Sequence, residues 1–160
     1  MNILAADLGA TSGRLMLGRV RNQRIELEEL ARFPNRMIEK DGFRVWDFDA
    51  YLEHILSAIA AFDGEVASFG ADTWGVDYGY IDAEGRRVGE VIAYRDPRTE
   101  DDMRRILRDY PELYRRSGIQ VMFFNTMFQV ANDVTTRPDI VRRAQRILLM
   151  PDLINHMLTF

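Results

Sequence analysis

A short bend near the N-terminus constrains this fold more than any other feature. The apolar run Ile3-Leu4-Ala5-Ala6 leads into Asp7-Leu8-Gly9-Ala10-Thr11-Ser12-Gly13-Arg14, and the apolar pattern resumes at once with Leu15-Met16-Leu17-Gly18-Arg19-Val20. Short apolar runs bounded by turn residues read as buried strands. Parallel strands need a crossover of about a dozen residues or more, so two strands joined this tightly run antiparallel. The bend itself carries chemistry. Gly9 and Gly13 let the backbone adopt unusual angles and approach a ligand closely. Successive N–H groups in such a bend form a concave nest for phosphate oxygens. Thr11 and Ser12 add hydroxyl donors, Arg14 adds a fixed charge, and Asp7 can hold a magnesium ion through its waters. An ordinary glycine hairpin with an exposed carboxylate has the same spacing. The Gly-Lys-Ser/Thr ending of a Walker loop is missing.

The pattern downstream defines the class. Ile25 and Leu27 alternate with Glu26 and Glu28, a third strand whose alternation slips near Glu29, where a bulge or strand end is expected. Asp41-Gly42 between apolar residues signals a hairpin. Phe48, Leu52, Ile55, Ile59 and Phe62 fall on one helical stripe, with Asp47 or Asp49 as cap and Gly64 as the end. Val66 to Ala71 reads as a strand, Val76 to Ile81 as extended, and Ala83-Glu84-Gly85 as a turn towards Val88 to Tyr94. Thr99 to Asp102 has capping-box spacing ahead of a stripe at Met103, Ile106, Leu107 and Tyr110 that stops at Pro111. Met127, Val130, Ala131 and Val134 suggest a second stripe ended before Pro138. Ile147 to Met150 reads as a last buried strand, and Leu153 to Leu158 as a final helix. Strands come first and helices later, around a mixed sheet: an α/β fold with three leading antiparallel strands and flanking helices.

Composition narrows the function. The 160 residues include no cysteine, which excludes a disulfide scaffold, a thiol nucleophile and thiolate zinc sites. Two histidines leave little for a His-rich metal site, and His54 reads as a partly buried structural residue. The net charge is −4, so no basic field holds a nucleic acid. Every basic residue but Lys40 is arginine, which reads as composition bias before function. No apolar run reaches the ~18 residues of a membrane span. The N-terminus lacks the basic region of a secretory signal, so a cytoplasmic location is the expectation.

Two further segments carry polar chemistry at predicted strand ends. Asp72-Thr73-Trp74-Gly75-Val76-Asp77 places two carboxylates, a hydroxyl, an indole and a glycine just past a strand, where α/β sheets bind ligands. Trp74 offers a flat face and one donor, and Gly75 admits a sugar-sized ligand to the backbone. A core tryptophan between two surface aspartates is the plainer reading. In Tyr94-Arg95-Asp96-Pro97-Arg98-Thr99 the arginines suit carboxylate or hydroxyl recognition, while Asp96 or Thr99 suits a helix cap. Ser117-Gly118-Ile119-Gln120 and Phe123-Phe124-Asn125-Thr126 read as a buried loop between helices.

Together the segments Ala6–Arg14, Asp72–Asp77, Ala93–Thr99, Ser117–Gln120 and Leu149–Asp152 resemble the FGGY family of sugar kinases, in order and spacing from Met1 to Phe160. The resemblance implies an actin-like ATPase (ribonuclease-H-like) domain, the N-terminal one of two. It implies phosphoryl transfer from ATP, with Mg2+, to the 1-hydroxyl of a small-molecule ketose, L-rhamnulose, and neither a nucleic-acid nor a membrane partner. Residues matching Ala10, Thr11, Ser12, Gly13 and Arg14 bind the ATP phosphates in the family. The residue matching Gly75 contacts the ketose, the one matching Asp7 lies near the metal, and Asp96 is a further sugar-contact candidate. The family's catalytic base is an aspartate in a His-Asp-Thr segment. Neither His54-Ile55 nor His156-Met157 begins one, so the catalytic residue is expected outside this chain, which reads as most of a first domain, inactive alone. Two rivals share the fold. The order Asp7, Glu53, Asp72 suits a two-metal ribonuclease-H-like nuclease, and half a cleft can serve a non-catalytic sugar-binding or interaction module.

Overall fold

The computed structural model describes every residue from Met1 to Phe160. In chain order the strands are β1 (Asn2–Leu8), β2 (Ser12–Arg21), β3 (Arg24–Pro34), β4 (Met37–Lys40), β5 (Phe43–Trp46), β6 (Ser68–Thr73), β7 (Tyr78–Ile81), β8 (Arg87–Val88) and β9 (Arg146–Leu149). The helices are α1 (Phe48–Ala60), α2 (Glu100–Asp109), α3 (Leu113–Ser117), α4 (Thr126–Thr136), α5 (Pro138–Arg143) and α6 (Met150–Thr159), with a 3-10 turn at Pro97–Thr99.

The main sheet has the order β3-β2-β1-β6. The bend at Gly9 forces β1 and β2 antiparallel, and β3 follows antiparallel through the Asn22-Gln23 turn. The slip near Glu29 is a bulge: Leu15 faces Ala31 while Met16 faces Glu29, leaving Leu30 over. After α1 crosses over, β6 returns parallel to β1, with Asp7 beside Asp72 and Leu8 beside Thr73. Alternate residues of β1 and β2 (Leu4, Ala6, Leu8, Leu15, Leu17) are buried against Phe48, Leu52 and Ile55 of α1 and Met150, Leu153 and Ile154 of α6. Each fully buried Leu, Ile, Phe or Met side chain here contributes roughly 1.5–3 kcal/mol. The β4-β5 hairpin is tied to the chain at Val91–Ala93 by Trp46 N–H on Val91 and Ala93 N–H on Arg44. A second sheet, β8-β7-β9, packs Tyr78 and Tyr80 against α4.

Several elements depart from the sequence reading. The stripe Met127–Val134 is not the buried face of α4: Met127 and Val134 are exposed, and Phe128, Gln129, Asn132 and Asp133 are buried. Polar groups can occupy that face because each finds a partner there. The last strand is not buried either. It sits at an edge, pairs only with β7, and leaves Ile147 and Leu149 exposed, while Met150 belongs to α6. Asp47 and Thr99 occupy N-cap positions without capping bonds, and the Thr99 hydroxyl donates to the Phe123 carbonyl instead. Residues Ser117–Gln120 are exposed rather than buried, with Gly118 ending α3 in the left-handed conformation. His54 is exposed and stacks on Phe33 at 5.1 Å. No helix is long and apolar enough to cross a membrane.

Candidate active site

The bend between β1 and β2 is fixed from behind. Gly9 N–H donates to the Ser12 carbonyl at 2.9 Å, Asn35 N–H donates to the Thr11 carbonyl at 3.1 Å, and Asn35 Nδ2 donates to the Gly9 carbonyl at 2.9 Å. Asn35 thus gathers two bend carbonyls, while Ala10 and Thr11 N–H groups and the Thr11 and Ser12 hydroxyls make no protein hydrogen bond. A run of uncommitted donors is what an anion-binding nest requires. Gly13 is here for space: a Cβ would stand 2.4 Å from the buried Phe33 ring. Arg14 lies opposite Asp7 across the β1-β2 pair, and the two form an ion pair, each side chain about 40% exposed.

The bend does not stand alone. Parallel pairing of β1 with β6 sets Asp7 beside Asp72, so the bend and the Trp74-Gly75 segment share one sheet edge. Two adjacent carboxylates fit a hydrated magnesium ion shared with phosphates. Glu53 does not join them: no cluster of three His, Asp or Glu able to hold a metal exists, so the two-metal nuclease arrangement is not formed. Beneath the edge lies Tyr51 of α1, with its hydroxyl buried and unpartnered. Burial, and secondarily the Asp7 charge, push its phenol above the ordinary range.

Asp77 organises the second segment. The sequence offers it as a surface carboxylate, yet it is 1% exposed. Its Oδ2 accepts from Trp46 Nε1 at 2.7 Å, Trp74 Nε1 at 2.9 Å and Tyr94 N–H at 3.1 Å, and its Oδ1 accepts from Gln129 Nε2 at 3.1 Å. Burial pushes the carboxyl above its usual range, opposed by these hydrogen bonds. The two indoles clamped on one oxygen pack at 4.3 Å between ring centres. Asp77 N–H also closes a three-residue turn on the Gly75 carbonyl at 3.0 Å, with Val76 at φ +70°. This is the rare, strained form of γ-turn, and a β-branched residue in the left-handed region costs roughly 1–2 kcal/mol. Gly75 is exposed, its N–H has no protein acceptor, and a Cβ there would meet nothing within 4 Å. Neither packing nor backbone angle requires glycine at that position.

The third segment is structural where it is buried. Asp96 Oδ1 accepts from Arg98 N–H at 2.9 Å, and Oδ2 from Arg44 N–H at 2.8 Å, so its carboxylate is committed to the hairpin and the 3-10 turn. Arg98 is buried beside Gln129 and Asp133, and Arg95 reaches the Tyr94 hydroxyl. Tyr94 and Phe124 meet edge-to-face at 5.7 Å. Asn35 and Gln129 escaped the sequence reading. Asn35 lies 26 residues from the carbonyl it holds, and Gln129 sits where an apolar stripe predicts surface. Gln129 shares its buried face with Asn132 and Asp133, so no hydrophobic pattern marks it.

A glycine bend and a tryptophan-glycine edge side by side, on an antiparallel three-strand sheet extended by a parallel fourth strand, define a domain of the actin-like ATPase fold. Solved structures of that fold superimpose well. Xylulose kinase from Rhodospirillum rubrum gives a TM-score of 0.79 at 15% identity, covering 98% of this chain and 34% of that one. Plasmodium falciparum glycerol kinase with ADP gives 0.66 at 14% identity, covering 88% and 30%. Residues 2–160 match the N-terminal domain of the FGGY family of carbohydrate kinases, and the chain belongs to that family. It is 42% identical over 165 residues to rhamnulokinase of Bacteroides thetaiotaomicron, covering 99% of this chain and 34% of the relative. Against rhamnulokinase of Oceanobacillus iheyensis it is 37% identical over 161 residues, covering 98% and 34%. The chain thus spans about a third of the length of the curated relatives it matches.

Proposed function

We propose that this chain is the N-terminal, ATP-phosphate- and ketose-facing part of a sugar kinase that phosphorylates the 1-hydroxyl of L-rhamnulose. The observation that carries this reading is the register of β1 with β6, by which the uncommitted donors of the Gly9 bend and the open Gly75 backbone both follow the same end of the paired strands. Phosphoryl transfer runs through a transition state with charge spread over oxygens, so catalysis is mainly positioning and charge stabilisation. Ala10 and Thr11 present N–H donors and Thr11 and Ser12 hydroxyl donors to the ATP phosphates, Gly13 lets the bend pack on Phe33, and Arg14 adds positive charge. Asp7 would hold Mg2+ through water, with Asp72 beside it; the ion, when bound, neutralises phosphate charge. Gly75 N–H donates to the ketose, and its missing side chain lets the sugar reach the strand edge. The base that takes the sugar proton is an aspartate outside residues 1–160, so this chain alone turns over no sugar.

A coupled ADP-release assay on the full-length gene product, with MgATP and a panel of ketoses, tests the assignment. L-Rhamnulose should give the highest kcat/KM. Turnover by residues 1–160 alone overturns the division of labour, and sugar binding without turnover by the full-length product favours a non-catalytic module. A narrower test concerns Asn35. Asn35→Ala frees the Gly9 carbonyl and leaves the backbone N–H of residue 35 on Thr11, so the bend is held on one side only. The KM for MgATP should rise by roughly three- to tenfold, as expected when one hydrogen bond that shapes a site is lost, with the KM for ketose little changed.

A further inference from the structure

We infer that Gln129 and Thr126 of α4 are positioning residues for the ketose site: they hold the strained turn that presents Gly75. This inference rests on the reading of Gly75 as a ketose contact. Gln129 is 1% exposed and carries no charge, so nothing but its amide geometry accounts for a polar group there. Its Nε2 faces three acceptors: the Val76 carbonyl at 3.2 Å, Asp77 Oδ1 at 3.1 Å and the Phe124 carbonyl at 2.9 Å. Its Oε1 accepts from Arg98 Nη2 at 3.2 Å, which fixes the amide orientation, because a flipped amide would set N–H against guanidinium.

Thr126, at the start of α4, donates from Oγ1 to the same Val76 carbonyl at 2.8 Å. Two side-chain donors therefore converge on the peptide that joins Val76 to Asp77. That peptide closes the turn on the carbonyl of Gly75. A β-branched residue persists at φ +70° only where its surroundings over-determine it. Here the restraint comes from α4, some fifty residues away in sequence. The Gly75 carbonyl is committed to Asp77, while the N–H of this exposed residue has no protein acceptor. Loss of either α4 donor lets Val76 relax, and the N–H of Gly75 rotates away from its bound position. Neither residue touches the Gly9 bend, so the nucleotide side should be indifferent.

The test uses the full-length gene product with Gln129→Leu, Thr126→Val and Thr126→Ser. Thr126→Val keeps shape and removes the hydroxyl, while Thr126→Ser restores the donor. Gln129→Leu and Thr126→Val should raise the KM for ketose on the order of tenfold. The KM for MgATP should stay within about twofold, and Thr126→Ser should behave as wild type. Hydrogen exchange at the Asp77 amide reads the turn with no substrate present: it should quicken in both disrupting variants and not in Thr126→Ser. Unchanged ketose KM in a folded Thr126→Val, or equal rises in both KM values, overturns the inference. Should Gln129→Leu fail to fold, Thr126→Val decides. A wild-type protein that phosphorylates no ketose overturns the kinase reading instead, and the exchange experiment then shows separately whether α4 holds the turn.

Discussion

Asp77→Asn should destabilise the protein by about 3 kcal/mol in urea unfolding, although the two side chains have nearly the same shape. The carboxylate is buried with no lysine or arginine paired to it, and four neutral N–H groups converge on its two oxygens. Asparagine offers one oxygen and one NH2. With its oxygen towards Trp46, Trp74 and Tyr94, its NH2 meets the Gln129 NH2. With its oxygen towards Gln129, its NH2 meets three N–H donors. Rotating the Gln129 amide gives no escape, since its nitrogen would then face the Arg98 guanidinium and its oxygen the Val76 and Phe124 carbonyls. Every arrangement buries opposed donors or acceptors, which costs the desolvation of each orphaned group. Trp74→Phe, which removes a single donor and leaves the carboxylate three, should cost only about 1 kcal/mol through the hydrogen bond. A loss under about 0.5 kcal/mol for Asp77→Asn would mean that the network is not built as described.

How far the sequence discloses this architecture depends on how local each cause is. The antiparallel opening is legible because the bend at Gly9 is too short for anything else, and α1 because Phe48, Leu52 and Ile55 keep helical spacing towards one core. Family resemblance gives the fold class and the roles of the bend and Gly75, which spacing leaves open, while the pairing of β1 with β6 is seen only in the fold. Helix α4 defeats pattern reading, since its inner face is polar: Asn132 and Asp133 are buried on Arg98, Tyr78 and Tyr80. Burial pushes the Tyr80 phenol up to about 12, a sign of how firmly those groups are held as donors. Edge strand β9 misleads in the opposite sense, with apolar side chains that only a sheet edge leaves in water. Partnerships such as Asn35 with Gly9 arise from β3 returning beside the bend, and no local window contains both ends.

Gly75 is where stability and function should separate most sharply. Gly75→Ala should leave the melting temperature unchanged or slightly higher, while kcat/KM for the ketose falls on the order of a hundredfold. The first half follows from the protein alone. A Cβ at Gly75 meets no atom within 4 Å, and its φ lies outside the left-handed region, so alanine costs no strain or contact. Alanine also narrows the unfolded ensemble, which favours the folded state by about 0.4–1 kcal/mol. The second half follows from the proposed contact. A methyl group on the face where the sugar meets the backbone displaces a reacting hydroxyl by a large fraction of an ångström or more, and misplacement of about 1 Å costs a factor on the order of a hundred. Gly75→Val should deepen the catalytic loss with the KM for MgATP still near wild type. An ordinary turn glycine gives a different pattern, with stability and activity falling together or neither falling. Full ketose activity in a folded Gly75→Val would therefore remove Gly75 from the sugar site, and with it the functional reason for holding Val76 under strain.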